Sequence, residues 1–106
     1  MQSNFDCIVA GATPGGISAA LTASRLGHSV ALVEYHPHIG GMASSGLGKS
    51  DIENRPMIQG IFSEFVDRVL NYYQSQYGND SENVILCKDG YYYEPSVAEL
   101  IFEQMI

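Results

Sequence analysis

The chain has 106 residues, 45% of them hydrophobic and 16% charged, which is enough globular sequence for one domain and no more. Its net charge is −7, and its five Lys and Arg form no patch, which argues against a nucleic-acid partner. The N-terminus lacks a basic region, and no run approaches the roughly 18 apolar residues of a membrane helix, so a cytoplasmic protein without a membrane partner is expected.

Met1 to Asn4 reads as a loose lead-in. Phe5–Ala10 is predicted to be a strand, because Cys7-Ile8-Val9-Ala10 is a continuous apolar run of the kind buried on both faces of a parallel sheet. It runs directly into Gly11-Ala12-Thr13-Pro14-Gly15-Gly16, and that cluster runs into a small-residue helix predicted over Gly15–Gly27. Strand, tight turn and helix in this order form a phosphate cradle: a helix start offers unpaired N–H groups and the positive end of its dipole.

The glycines match the dinucleotide fingerprint G-x-G-x-x-G at its first place, Gly11, and at its third, Gly16. Thr13 stands where the second Gly is expected, so its side chain either crowds a pyrophosphate or hydrogen-bonds it. Pro14 costs little at a helix start, and Gly15 adds backbone freedom beside it. The spacing Gly11-x4-Gly16 also suits a P-loop, but Ile17 occupies the lysine position and cannot supply its charge. A glycine-rich turn that binds nothing is the plainer alternative. The next element weighs against it. Ser29–Glu34 is a second apolar run, and Glu34 follows Gly11 by 23 positions, near the roughly 20 expected of the carboxylate that receives ribose hydroxyls. The two strands should lie parallel, joined by a right-handed crossover.

Tyr35 to Arg55 is a long connection carrying Gly40-Gly41-Met42-Ala43-Ser44-Ser45-Gly46-Leu47-Gly48. Connections of this length in a small domain are usually functional or disordered. Together with Gly11–Gly16, Val30-Ala31-Leu32-Val33-Glu34 and a later Tyr-Glu-Pro-Ser-Val-Ala-Glu stretch, this segment resembles the N-terminus of the FAD-dependent oxidoreductases with a glutathione-reductase-like FAD domain. The resemblance covers most of the chain, and a Thr-Pro pair within the glycine loop is familiar in one branch of that family. It implies an α/β, Rossmann-like βαβ fold, present here in part. It implies FAD as cofactor, with Gly11, Thr13, Pro14, Gly15 and Gly16 at the pyrophosphate and Glu34 at the adenosine ribose with Tyr35 beside it. Gly40, Gly41 and Met42 would line the approach to the flavin. Members of the family are several times longer than this chain.

Other loop residues invite other chemistry. His36 and His38 form a conceivable metal pair, but structural zinc wants four ligands and no second cluster is in view. Ser44 and Ser45 lack a nucleophile-elbow context and are expected to make loop hydrogen bonds. Cys7 and Cys87 lie in separate apolar runs and read as reduced core thiols.

Pro56–Tyr77 is predicted as a long helix, with Ile58, Ile61, Phe62, Phe65, Val69, Tyr72 and Tyr73 at steps of three and four and Gly78 ending it. Val84–Lys88 and Tyr91–Tyr93 flank Asp89-Gly90, which predicts a small β-hairpin insertion on a type I′ turn. Pro95 opens a last helix running to Ile106, with Ser96 and Glu99 as a capping box and Val97, Leu100, Ile101 and Met105 as its apolar stripe.

The leading reading is thus the FAD-binding portion of an oxidoreductase, spanning residues 1–106 as the N-terminal part of the domain. An NAD-binding dehydrogenase domain is the alternative, since Glu34 serves either cofactor, and a truncated, non-catalytic nucleotide-binding fragment is a third. No residue stands out as a catalytic acid or base, and the small-molecule substrate is not identified. With one edge of the first strand unpaired and both later stripes lacking an obvious cover, self-association through apolar surface is expected.

Overall fold

The computed structural model describes residues 4–106, so the expected lead-in falls outside the described residues except for Asn4. Strand β1 (Cys7–Ala10), helix α1 (Pro14–Arg25) and strand β2 (Val30–Val33) form the expected βαβ unit. The strands are parallel, in register Cys7 with Val30 through Ala10 with Val33. Asp6 and Ser29 lock the strand starts together: the Asp6 N–H donates to Ser29 Oγ and the Ser29 N–H to Asp6 Oδ2, both at 2.9 Å. Pro14 occupies the first turn of α1, as its missing donor permits, and Gly27 donates to the Ser24 carbonyl beyond the helix end.

The second half is helical. Helix α2 (Gly60–Tyr77) is shorter than expected, because Pro56 lies in a separate 3-10 turn, Arg55–Met57, and the chain goes extended at Ile58 before α2 begins. Gly78 ends α2 as expected. The predicted hairpin does not form. Glu82–Leu86 is instead a short helix, α3, whose N–H groups are capped by Ser81 Oγ, which accepts from the Val84 N–H at 3.2 Å. Lys88–Gly90 is a 3-10 turn, and Tyr92 makes a single antiparallel bridge to Lys49 in the long loop rather than to Val84–Lys88. The turn glycine serves close approach: a Cβ on Gly90 would stand 1.9 Å from the Val66 carbonyl oxygen of α2.

Helix α4 (Pro95–Met105) begins on Pro95, with Glu94 as its N-cap residue. Ser96 therefore lies inside the first turn, and the expected capping box is absent because neither side chain is at the position that box requires. The stripes of α2 and α4 cover each other, which corrects the expectation that they lack a partner. Phe65, Val66, Val69 and Tyr73 of α2 are buried with Val97, Ala98, Ile101, Phe102 and Met105 of α4. Leu100 faces outward, and Ala98 and Phe102 take its place in the core. Phe65 is the centre: its ring stacks on Phe102 at 4.5 Å between centroids and meets the Tyr93 ring edge-on at 5.4 Å. Ile17 and Leu21 of α1 and Ala12 of the glycine turn join this core, whereas no strand residue is fully buried. Cys87 is buried and Cys7 half-buried, both as free thiols. Among the described residues, no helix is long and apolar enough to cross a membrane.

Tyr73 ties α2 to the start of α4. Its hydroxyl donates to Glu94 Oε1 at 3.2 Å and accepts from the Glu94 N–H at 3.0 Å. Burial pushes its phenol up to about 12, assisted by the Glu94 carboxylate and partly opposed by the Glu94 N–H. The neutral phenol is the form the fold favours, so this stabilisation is whole below the ordinary value of 10.0 and is lost as pH rises through about 12. Tyr73→Phe is expected to cost about 1–2 kcal/mol, since the Glu94 N–H loses its acceptor, and to flatten the alkaline limb of a stability–pH curve. Denaturant unfolding of both proteins between neutral and strongly alkaline pH checks this; an alkaline limb that persists in the variant assigns it to another group.

Candidate functional site

The site is built where β1 ends. Gly11 adopts φ +101°, a left-handed conformation open to glycine, and turns the chain sharply while its N–H still bonds the Val33 carbonyl at 2.7 Å. A Cβ at Gly11 would touch nothing within 4 Å, so the constraint there is conformational rather than steric. Gly16 is the opposite case. A Cβ on Gly16 would stand 1.8 Å from the Gly11 carbonyl oxygen, so only glycine lets α1 pack this closely on the turn.

Thr13 has a role that spacing alone did not suggest. It is the N-cap of α1, and its Oγ1 accepts from the Gly16 N–H at 3.1 Å. The side chain thus folds back over the first turn. With the N–H groups of Gly11, Ala12 and Gly16 engaged, the hydrogen bonds among the described residues leave those of Thr13 and Gly15 for an anion at the helix start. Thr13 and Gly15 are both exposed there.

Glu34, just past β2, reaches back to this turn. Its Oε1 accepts from the Ala12 N–H at 3.0 Å and its Oε2 from the His36 N–H at 3.2 Å. These two donors, His36 first, hold the carboxyl below its ordinary value of 4.5. The carboxylate form is the one the fold favours, so its contribution is whole above that ordinary value and is lost as pH falls through the depressed one. Near neutrality Glu34 is a fixed negative charge at the turn. Tyr35 beside it is 93% exposed, with only the His36 ring edge-on at 5.1 Å.

The long loop folds over the other side of the turn. The Gly40 N–H donates to the Ala12 carbonyl at 2.7 Å, and a Cβ on Gly41 would lie 3.4 Å from both Thr13 Cα and Pro14 Cδ. Gly41–Ala43 is a short 3-10 turn, stitched by Ser45 Oγ donating to the Gly41 carbonyl at 2.6 Å and by Ser44 Oγ donating to the Ile39 carbonyl. Both serines therefore make loop hydrogen bonds. Met42 projects from this turn, 68% exposed. Ala12 is the junction: its N–H holds Glu34, and its carbonyl holds Gly40. The structure thus gathers Gly11, Thr13, Pro14, Gly15, Gly16, Glu34, Gly40 and Gly41 at the end of β1, with the exposed Tyr35 and Met42 beside them.

The histidines part company. His38 Nδ1 meets Glu99 Oε1 of α4 at 2.9 Å, while His36 stays by Tyr35. Among the described residues no group of three or more His, Cys, Asp or Glu side chains gathers. Two residues that hold the loop against this cluster escaped sequence reasoning, Glu99 and Phe102. Glu99 read as a cap, and its true partners lie 60 and 61 residues away, where no local pattern points to them.

Over 55 residues the chain is 42% identical to the digeranylgeranylglycerophospholipid reductase of Methanocella arvoryzae, a match covering 50% of this chain and 14% of that protein. The chain therefore spans only a small part of that relative's length. No solved structure matches. The sequence model of the FAD dependent oxidoreductase family matches residues 6–106. The chain belongs to that family, and its cofactor is FAD.

Proposed function

We propose that this chain binds the ADP half of FAD in a flavin-dependent oxidoreductase, with the pyrophosphate on the glycine-rich turn and the adenosine ribose on Glu34. One observation carries the reading: both peptide groups of Ala12 are used to bring Glu34 and Gly40 against the turn, so the three segments face one ligand. The free N–H groups of Thr13 and Gly15 and the start of α1 suit the phosphates. The ionised Glu34 suits hydroxyl donors, and its charge would repel a phosphate, which separates the two subsites by chemistry. The exposed Tyr35 ring offers a face to the adenine, and Gly40–Met42 supply bare backbone on the flavin side. These residues bind and orient; the flavin, when bound, supplies the electron transfer.

Glu34→Gln tests the ribose assignment. The amide oxygen can still accept from the Ala12 N–H, so the bond to the turn survives, while the His36 N–H loses its acceptor and the charge is lost. FAD affinity should fall about ten- to a hundredfold, the scale of hydrogen bonds to a charged group. Titration of the flavin-free protein with FAD, followed by flavin fluorescence, measures it, and unchanged affinity would remove Glu34 from the site.

A further inference from the structure

We propose that Glu99 of α4 is a positioning residue for the proposed cofactor site, latching the segment His38–Gly41 at the height at which Gly40 and Gly41 meet the glycine-rich turn. The proposal rests on the cofactor site described above. Glu99 Oε1 accepts from the Ile39 N–H at 3.3 Å, and the carboxylate meets His38 Nδ1 at 2.9 and 3.1 Å through its two oxygens. The next residue, Gly40, is the one that donates to the Ala12 carbonyl at 2.7 Å. Three residues along α4, Phe102 lies under the same segment: its Cδ2 would be 2.9 Å from a Cβ on Gly40. The loop backbone is thus gripped by a carboxylate on one side and rests on a core ring on the other, and that ring is stacked on Phe65.

The two bonds of Glu99 differ in weight. The His38 side chain is 77% exposed, so its ion pair is of the surface kind that contributes little. The Glu99 side chain is 19% exposed, and its bond to the Ile39 N–H is part-buried and charge-assisted. The latch is therefore the backbone bond. Gln at position 99 keeps an acceptor and should preserve it in part, Ala should abolish it, and His38→Ala should matter little.

The test has two arms on the full-length protein. In the flavin-free form, amide exchange at Gly40 should rise about tenfold or more in Glu99→Ala, with Val69 of α2 unchanged. In titrations, the same variant should bind FAD about tenfold more weakly, while Glu99→Gln loses distinctly less and His38→Ala stays close to wild type. Unchanged Gly40 exchange in Glu99→Ala overturns the latch. Faster Gly40 exchange with unchanged FAD affinity overturns the positioning role. Parallel loss of protection at Val69, or equal loss of affinity in the Ala and Gln variants, also overturns it, as the mark of a purely structural residue. A wild-type protein without affinity for FAD would instead refute the site and the positioning role with it, and Gly40 exchange would still report separately whether the latch exists.

Discussion

Gly16→Ala should leave the protein without bound flavin. The added methyl would lie 1.8 Å from the Gly11 carbonyl oxygen and 3.1 Å from its carbon, and both are backbone atoms with no rotamer to yield. Either α1 moves off the turn or the turn opens. Both responses displace the N–H groups of Thr13 and Gly15 and break the Thr13 cap, which is itself bonded to the Gly16 N–H. Overpacking a close contact costs about 1–3 kcal/mol, and a contact this short belongs at the upper end. Thr13→Gly is the informative companion. It restores the fingerprint glycine and removes a cap whose loss to Gly costs a few tenths of a kcal/mol, so FAD binding should persist. Flavin absorbance after gel filtration reads both variants. Retention of flavin by Gly16→Ala together with its loss from Thr13→Gly would show that the pyrophosphate does not lie on this turn.

Phe65→Ala is expected to have the largest effect on stability, about 3–5 kcal/mol. Phe65 is 1% exposed and touches three parts of the fold through aromatic pairs: Phe62 in its own helix, Phe102 of α4 and Tyr93 of the segment that bridges the long loop. Removing its ring leaves a cavity between α2 and α4 that neither helix can close without losing the other's contacts. Typical domains hold only about 5–15 kcal/mol in total, so much of the fold's margin would go. Urea unfolding of wild type and variant measures the difference. A loss below about 1 kcal/mol would mean that the two helices do not depend on each other.

What the sequence made legible was local. A strand ending at Ala10 (expected from Phe5, observed from Cys7), the turn at Gly11, a helix opening in the Pro14-Gly15 pair and the acid at Glu34 all announce themselves within a few residues, because apolar runs and tight turning are decided at that range. The stripe of Phe65, Val69 and Tyr73 was legible as core for the same reason. Asp89-Gly90 misled because a turn dipeptide reports the backbone it allows, not what the turn approaches. Here the glycine is needed for contact with the Val66 carbonyl, and the residues before it fold as a helix under the Ser81 cap. Glu99 misled in the same way: its spacing from Ser96 suits a cap, but the carboxylate bonds to Ile39, whose approach is set by tertiary packing. The site's outline was local, and its support was not.

The uneven burial of the two halves bears on the protein's lifetime in a cell. The four residues of each strand are at most half-buried, while α2 and α4 lock ring against ring. Opening the β1–β2 unit is therefore the cheaper excursion, and proteases act on such openings. A ligand held by the turn, Glu34 and Gly40 together must be released before that unit can open. At a free flavin concentration a hundred times its dissociation constant, the added protection is about 2.7 kcal/mol. With FAD held there as proposed, flavin supply is expected to govern not only how much of the protein is competent but how much of it survives.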